Sequence, residues 1–220
     1  MTRAEVKARI QEIGIIPAVR LHSAEEALFA ADAVCGADIP LVEVTMTVPG
    51  AVDVIRELTR NHNEVIIGAG SVFHVETAKR CLDAGAKFLT TPGLDRDIVN
   101  FATGHDIVVF PGALTPTEIM ASWKAGCDFV KIYPCFANGG PAYIRTLKLP
   151  FPDIPLIASG GVDQTNAGDF ILAGAAALGI GRHLIHQDAI RRRERNWIHE
   201  LSRRYKLIIA EARAQLQEVQ

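Results

Sequence analysis

At 220 residues, with 49% hydrophobic and 22% charged side chains, the chain has the composition of a folded globular protein, far from that of a disordered one. A net charge of −2 gives no electrostatic reason to expect nucleic acid or an anionic membrane as partner. No apolar run approaches the roughly 18 residues of a membrane helix, and the opening MTRAEVKARIQEIG is amphipathic rather than signal-like, so a cytoplasmic protein is expected.

In chain order, a leading helix over 3–12 is followed by eight short apolar segments, each suited to a buried parallel strand. They are IIPAV (15–19), LVEVT (41–45), VIIGA (65–69), KFLTT (87–91), IVVF (107–110), FVKIY (129–133), PLIAS (155–159) and ALGIG (177–181). Helical spacing fills the intervals. Ser23 with Glu26, and Thr115 with Glu118 behind Pro116, have the pattern of capping boxes, in which side chains satisfy orphan backbone donors. Gly36, Gly85, Gly126 and Gly174 stand where helices should stop. A long closing helix is expected over 194–216, with the run RRRER (191–195) as its solvated start.

Eight strand–helix units close a barrel, so the expected fold is a single-domain (β/α)8 TIM barrel over 1–220 with an extra N-terminal helix. The competing doubly wound sheet lacks its signature, because no G-x-G-x-x-G turn follows the first strand. Four cysteines, Cys35, Cys81, Cys127 and Cys135, form no C-x-x-C pair and have no histidine at zinc-ligand spacing. They read as reduced structural thiols, and no metal or other cofactor is expected.

Alternation along the strands decides which side chains enter the barrel. In FVKIY the apolar pair Val130 and Ile132 suits the helix layer, which turns Lys131 inward with Phe129 and Tyr133; in LVEVT, Glu43 opposes Val42 and Val44. A core ion pair is the plain structural alternative, but desolvation makes such pairs weak stabilisers. An enclosed amine is instead suited to attack a ketone and form a Schiff base, with a neighbouring carboxylate moving protons. After strands seven and eight, ASGGV (158–162) and GIGRH (179–183) place glycines and Arg182 where barrels commonly bind phosphate. His183 and His186 lie beside that loop and read as ordinary hydrogen-bonding residues.

The order LVEVTMTVPGA, GAGSV, TTPGL, FPGALTPTE, FVKIYP, ASGGV and GIG closely resembles the family of 2-keto-3-deoxy-6-phosphogluconate and 4-hydroxy-2-oxoglutarate aldolases, class I enzymes on a (β/α)8 barrel. The resemblance runs from about residue 15 to 184. It implies that Lys131 is the Schiff-base lysine and Glu43 the general acid/base. It also implies that Ser71, replacing a threonine, and Pro92 line the pyruvate pocket, and that Tyr133 stands where phenylalanine is usual. Ser159, Gly160, Gly161 and Gly181 correspond to the phosphate end.

Two positions depart from the family pattern. Thr47 occupies a substrate-binding position where many members carry an arginine for the substrate carboxylate, a role that falls to Arg20 at the end of the first strand. Arg182 replaces a serine of the phosphate site. The implied reaction is cleavage of a 2-keto-4-hydroxy acid to pyruvate and an aldehyde, with 2-keto-3-deoxy-6-phosphogluconate as first substrate and 4-hydroxy-2-oxoglutarate or 2-keto-3-deoxy-6-phosphogalactonate as alternatives. A phosphate-binding isomerase or epimerase barrel and a non-catalytic sugar-acid-binding barrel are the readings from other classes. The expected partners are a small-molecule substrate and further copies of the chain, as a homotrimer, with no nucleic acid and no membrane.

Overall fold

A computed structural model describes residues 1–218. Eight strands, β1 (Ile15–Val19), β2 (Leu41–Thr45), β3 (Ile66–Gly70), β4 (Phe88–Thr91), β5 (Val108–Ala113), β6 (Val130–Ile132), β7 (Leu156–Ser159) and β8 (Ala175–Ile180), close into a barrel in sequence order. Every neighbouring pair is parallel, β8 with β1 included. The helices that return the chain between strands are α2 (Ala24–Cys35), α3 (Ala51–Asn61), α4 (Val75–Asp83), α5 (Arg96–Gly104), α6 (Pro116–Lys124), α7 (Pro141–Lys148) and α8 (Ala167–Leu172).

Strand alternation divides the apolar side chains into two cores. Val42, Val44, Ile67, Leu89, Val109, Val130 and Ile132 pack outward against the helices, while Ile16, Leu41, Ile66, Phe88, Val108, Phe110, Phe129 and Ile157 fill the lower barrel interior. The helix α1 (Arg3–Ile13) covers that lower end, adding Val6 and Ile10 to the interior core. Its Arg3 is paired at 3.0 Å with the buried Asp128, whose carboxylate also accepts from the Val109 N–H. With one end plugged, only the end at the strand C-termini stays open.

Several local expectations are corrected. Thr115 makes the reciprocal capping box with Glu118, and Thr2 makes a further one with Glu5, but Ser23 makes only half of one. Its hydroxyl accepts from the Glu26 N–H, whereas the Glu26 side chain turns away and buries Oε2 without a partner among the described residues. Gly85, Gly126 and Gly174 follow their helix ends with φ of 104°, 89° and 99°, conformations that favour glycine. Gly36 does not, because Asp38 takes the left-handed position two residues later, with φ of 59°.

The strand β5 runs three residues past its expected end, through Pro111, Gly112 and Ala113. Gly112 lies so close to the preceding loop that a Cβ there would be 2.1 Å from the Pro92 carbonyl oxygen, and only glycine lets the pairing continue to Lys131. The strand β8 starts at Ala175 rather than 177, with an irregularity against β7 at Leu156 and Ile157 that absorbs the additional residue. The closing segment is two helices, α9 (Gln187–Arg191) and α10 (Arg195–Glu218), and the arginine run spans their joint instead of opening one helix. There Arg193 pairs with Glu25, and Arg193 and Arg195 lie over the Phe29 ring at 4.8 and 5.5 Å.

Candidate active site

Above the apolar interior the barrel carries a polar layer supplied by alternate strands, as barrel packing requires. Glu43 comes from β2, Thr90 from β4 and Lys131 from β6. The strands between them present glycine at this level: a Cβ on Gly70 of β3 would lie 1.9 Å from Glu43 Oε1, and Gly112 of β5 is paired with Lys131 itself. Gly70 thereby leaves the room that the Glu43 side chain fills. One level below, Gly68 similarly admits the Phe88 ring, 2.1 Å from where its Cβ would stand.

Lys131 Nζ donates to Thr90 Oγ1 at 3.1 Å and lies 3.7 Å from Glu43 Oε2. The lysine and glutamate side chains are 13% and 4% exposed, so the pair is enclosed yet reachable from one side. That side is a cavity of about 550 Å³ opening at the C-terminal ends of the strands. Arg20, Glu43, Ser71, Pro92, Lys131, Tyr133, Ser159, Gly160, Gly161, Gly181 and Arg182 all line it. The structure thus brings every sequence-predicted site residue but one to a single cavity.

The exception is Thr47. It is exposed and outside the cavity lining, and its hydroxyl shares a 2.7 Å hydrogen bond with Thr45, which in turn donates to the Val19 carbonyl. Arg20 does line the cavity: its Nη2 donates to Ser71 Oγ at 3.2 Å, spanning from β1 to the loop after β3. Ser71 holds a left-handed backbone, φ 56°, a conformation that costs a non-glycine residue energy and clusters at functional sites.

At the outer end, Gly160 and Gly161 have φ of 87° and 89°, and a Cβ on Gly161 would lie 2.3 Å from Phe136 Cβ. The loop is braced from below. Asn166 donates to the Gly161 carbonyl, and Asp163 accepts from the Thr165 hydroxyl at 2.6 Å, a bond that holds its carboxyl below the usual carboxylate range. Arg182 and His183 flank the opening together with His22. Among lining residues with ionisable side chains, Glu43 is the single carboxylate against Lys131, Arg20, Arg182 and the two histidines. The cavity therefore suits an anionic ligand.

Thr90 escaped the sequence reading, although alternation from Phe88 turns it inward within the same TTPGL motif; its value as a partner for Lys131 appears only once β4 and β6 are placed on either side of β5. His22 on the loop after β1, Phe136 at the start of a 3-10 turn after β6 and Gln187 at the start of α9 also line the cavity, in segments that carry no periodic signal. Cys135 follows the active-site strand, but burial pushes its thiol up to about 12 and its Sγ faces the Gly140 carbonyl at 3.8 Å, so it lacks the character of a reactive thiolate.

A closed parallel barrel whose open mouth holds an enclosed lysine beside a carboxylate defines the class of imine-forming barrel lyases. Comparison with known proteins gives the family. The family model "Aldolase: KDPG and KHG aldolase" matches residues 6–201, and the chain belongs to that family and is a class I aldolase. A 2-dehydro-3-deoxy-phosphogluconate aldolase from Pseudomonas aeruginosa is 30% identical over 168 residues, covering 76% of each chain. A solved structure of native KDPGal superposes with a TM-score of 0.83 at 28% identity, covering 90% of this chain and 95% of the other. The KDPG aldolase of Legionella pneumophila, captured with pyruvate as a covalent carbinolamine, superposes with a TM-score of 0.82 at 26% identity, covering 89% and 95%.

Proposed function

We propose that the protein cleaves 2-keto-3-deoxy-6-phosphogluconate to pyruvate and glyceraldehyde 3-phosphate, with Lys131 as Schiff-base nucleophile and Glu43 as proton carrier. The observation that carries this reading is the enclosed lysine 3.7 Å from a buried carboxylate in a cavity that is also lined by glycine turns and by Arg20 and Arg182.

The amine attacks C2 of the keto acid. The carbonyl oxygen takes one proton to give a carbinolamine and a second to leave as water, so that amine, ketone and one proton become a protonated imine and water. Glu43 then removes the C4 hydroxyl proton, directly or through a water. The C3–C4 bond breaks, its electrons flow into the imine to form an enamine, and the aldehyde departs. Protonation at C3 and hydrolysis return pyruvate and the free amine.

Arg20, held by Ser71, receives the C1 carboxylate against the wall formed by Pro92, and Tyr133 covers the imine. Ser159, Gly160, Gly161, Gly181 and Arg182 receive the phosphate. Arg182 also favours a second reading, because a guanidinium fork suits a carboxylate equally well, and 4-hydroxy-2-oxoglutarate carries a second carboxylate at that end. 2-Keto-3-deoxy-6-phosphogalactonate presents the same two anions with altered stereochemistry. The assembly proposed is a homotrimer, on the strength of the family resemblance, and sedimentation analysis checks it.

Trapping with pyruvate and borohydride, followed by peptide mapping, tests the nucleophile: one reduced pyruvate adduct on the Lys131 peptide is expected. Label on another lysine, or none in active protein, excludes the assignment. Turnover of the three keto acids then ranks the substrates, and tight calorimetric binding without turnover of any would establish a binding barrel instead.

A further inference from the structure

We infer that Thr90 is a positioning residue: its hydroxyl carries the Lys131 nitrogen through imine formation and so leaves Glu43 free for the substrate's own protons. The inference rests on the Schiff-base reading above.

Thr90 is wholly buried on the inward face of β4, and its Oγ1 is the atom nearest to a hydrogen-bonding distance from the reacting nitrogen, 3.1 Å against 3.7 Å for the Glu43 carboxylate. It does not line the cavity, so substrate meets Lys131 and not the threonine. The two side chains meet over β5, the strand between theirs, where Gly112 is paired with Lys131. As a β-branched residue Thr90 has a restricted χ1, which fixes where the hydroxyl points.

A hydroxyl suits this place because the nitrogen changes its hydrogen-bonding character during the reaction. An ammonium donates to Thr90 Oγ1, and the neutral amine accepts from the Thr90 O–H. The protonated imine keeps a single N–H, which donates to Oγ1 again. In an enclosed site an N–H without an acceptor is costly. With an apolar residue at position 90, that N–H has Glu43 as its nearest acceptor, and the carboxylate is drawn into an ion pair with the nitrogen instead of serving the C4 hydroxyl. The threonine therefore acts on the chemical steps more than on substrate binding.

The test compares Thr90→Val, which keeps the shape and removes the hydroxyl, with Thr90→Ser, which restores it. Steady-state cleavage and the rate of borohydride-trapped pyruvate are measured for the parent and both variants. Thr90→Val should lower kcat about 10- to 100-fold, the loss of one charge-assisted hydrogen bond, with KM within about threefold of the parent. Thr90→Ser should recover most of kcat, because the hydroxyl and not the methyl carries the effect. A kcat within about twofold of the parent for Thr90→Val, or a Thr90→Ser variant as slow as Thr90→Val, overturns the inference; if Thr90→Val does not fold, Thr90→Ala carries the same comparison. A parent that traps no pyruvate at Lys131 overturns the Schiff-base reading and this inference together, whereas a parent that traps it normally beside an unaffected Thr90→Val overturns this inference alone.

Discussion

Replacing Gly70 by alanine tests whether the glycines of the polar layer exist to admit the catalytic side chains. The new Cβ would lie 1.9 Å from Glu43 Oε1, 2.5 Å from Cδ and 2.7 Å from Cγ. Non-bonded carbon contacts settle near 3.5 Å, so the carboxylate must move by roughly 1.5 Å. A misplacement of about 1 Å costs about 100-fold in rate, and overpacking costs about 1 to 3 kcal/mol of stability. Gly70→Ala should therefore fold, still form the pyruvate imine at Lys131, and cleave about 100-fold more slowly. Gly68→Ala is the control on the same face of the same strand. Its Cβ would lie 2.1 Å from the Phe88 ring, so it should lose comparable stability while its turnover falls far less. Urea unfolding and steady-state cleavage measure the two effects separately. A soluble Gly70→Ala variant turning over within about threefold of the parent would show that Glu43 does not depend on that space, and would refute the reasoning.

Glu43→Gln preserves the side-chain shape while removing proton transfer, so imine trapping should persist while cleavage falls about 10²- to 10⁴-fold; near-parental turnover would end that role. Arg20→Ala should raise the KM for pyruvate in the condensation direction about 10- to 100-fold, whichever aldehyde is supplied, from the loss of a charge-assisted hydrogen bond. An effect confined to phosphorylated aldehydes would move Arg20 to the other end of the cavity. Arg182→Ala should weaken condensation with aldehydes that carry an anionic terminus and leave condensation with uncharged glyceraldehyde nearly unchanged, which kinetics with glyceraldehyde 3-phosphate and glyceraldehyde compares directly. The thiols of Cys35, Cys127 and Cys135 are pushed up to about 12, and that of Cys81 to about 11, each chiefly by burial. Because the native thiols hold their protons where unfolded ones release them, stability is unaffected by them below about pH 9 and falls as pH rises from there toward 12. Denaturant midpoints at pH 8 and 10.5 should show the fall, with a smaller one in Cys135→Ala.

The barrel was legible in the sequence because its signals are local. Each strand is a short apolar run, several helix starts and stops are marked within a few residues, and alternation alone turns Glu43 and Lys131 inward. The family motifs added residues whose place in one cavity the fold then explains. What the sequence withheld involves residues far apart in the chain. Thr90 and Lys131, 41 positions apart, meet because β4 and β6 flank β5; Gly70 matters because Glu43, 27 positions earlier, needs its space. The absence of Thr47 from the cavity and the span of Arg20 to Ser71 depend on how two loops end above the barrel. The break between α9 and α10 falls where Arg193 meets Glu25 and Phe29 from another unit. Local periodicity reports which face of an element is buried, but the distances between elements that set the Glu43 carboxylate 3.7 Å from the Lys131 amine arise only when all eight strands close with one register.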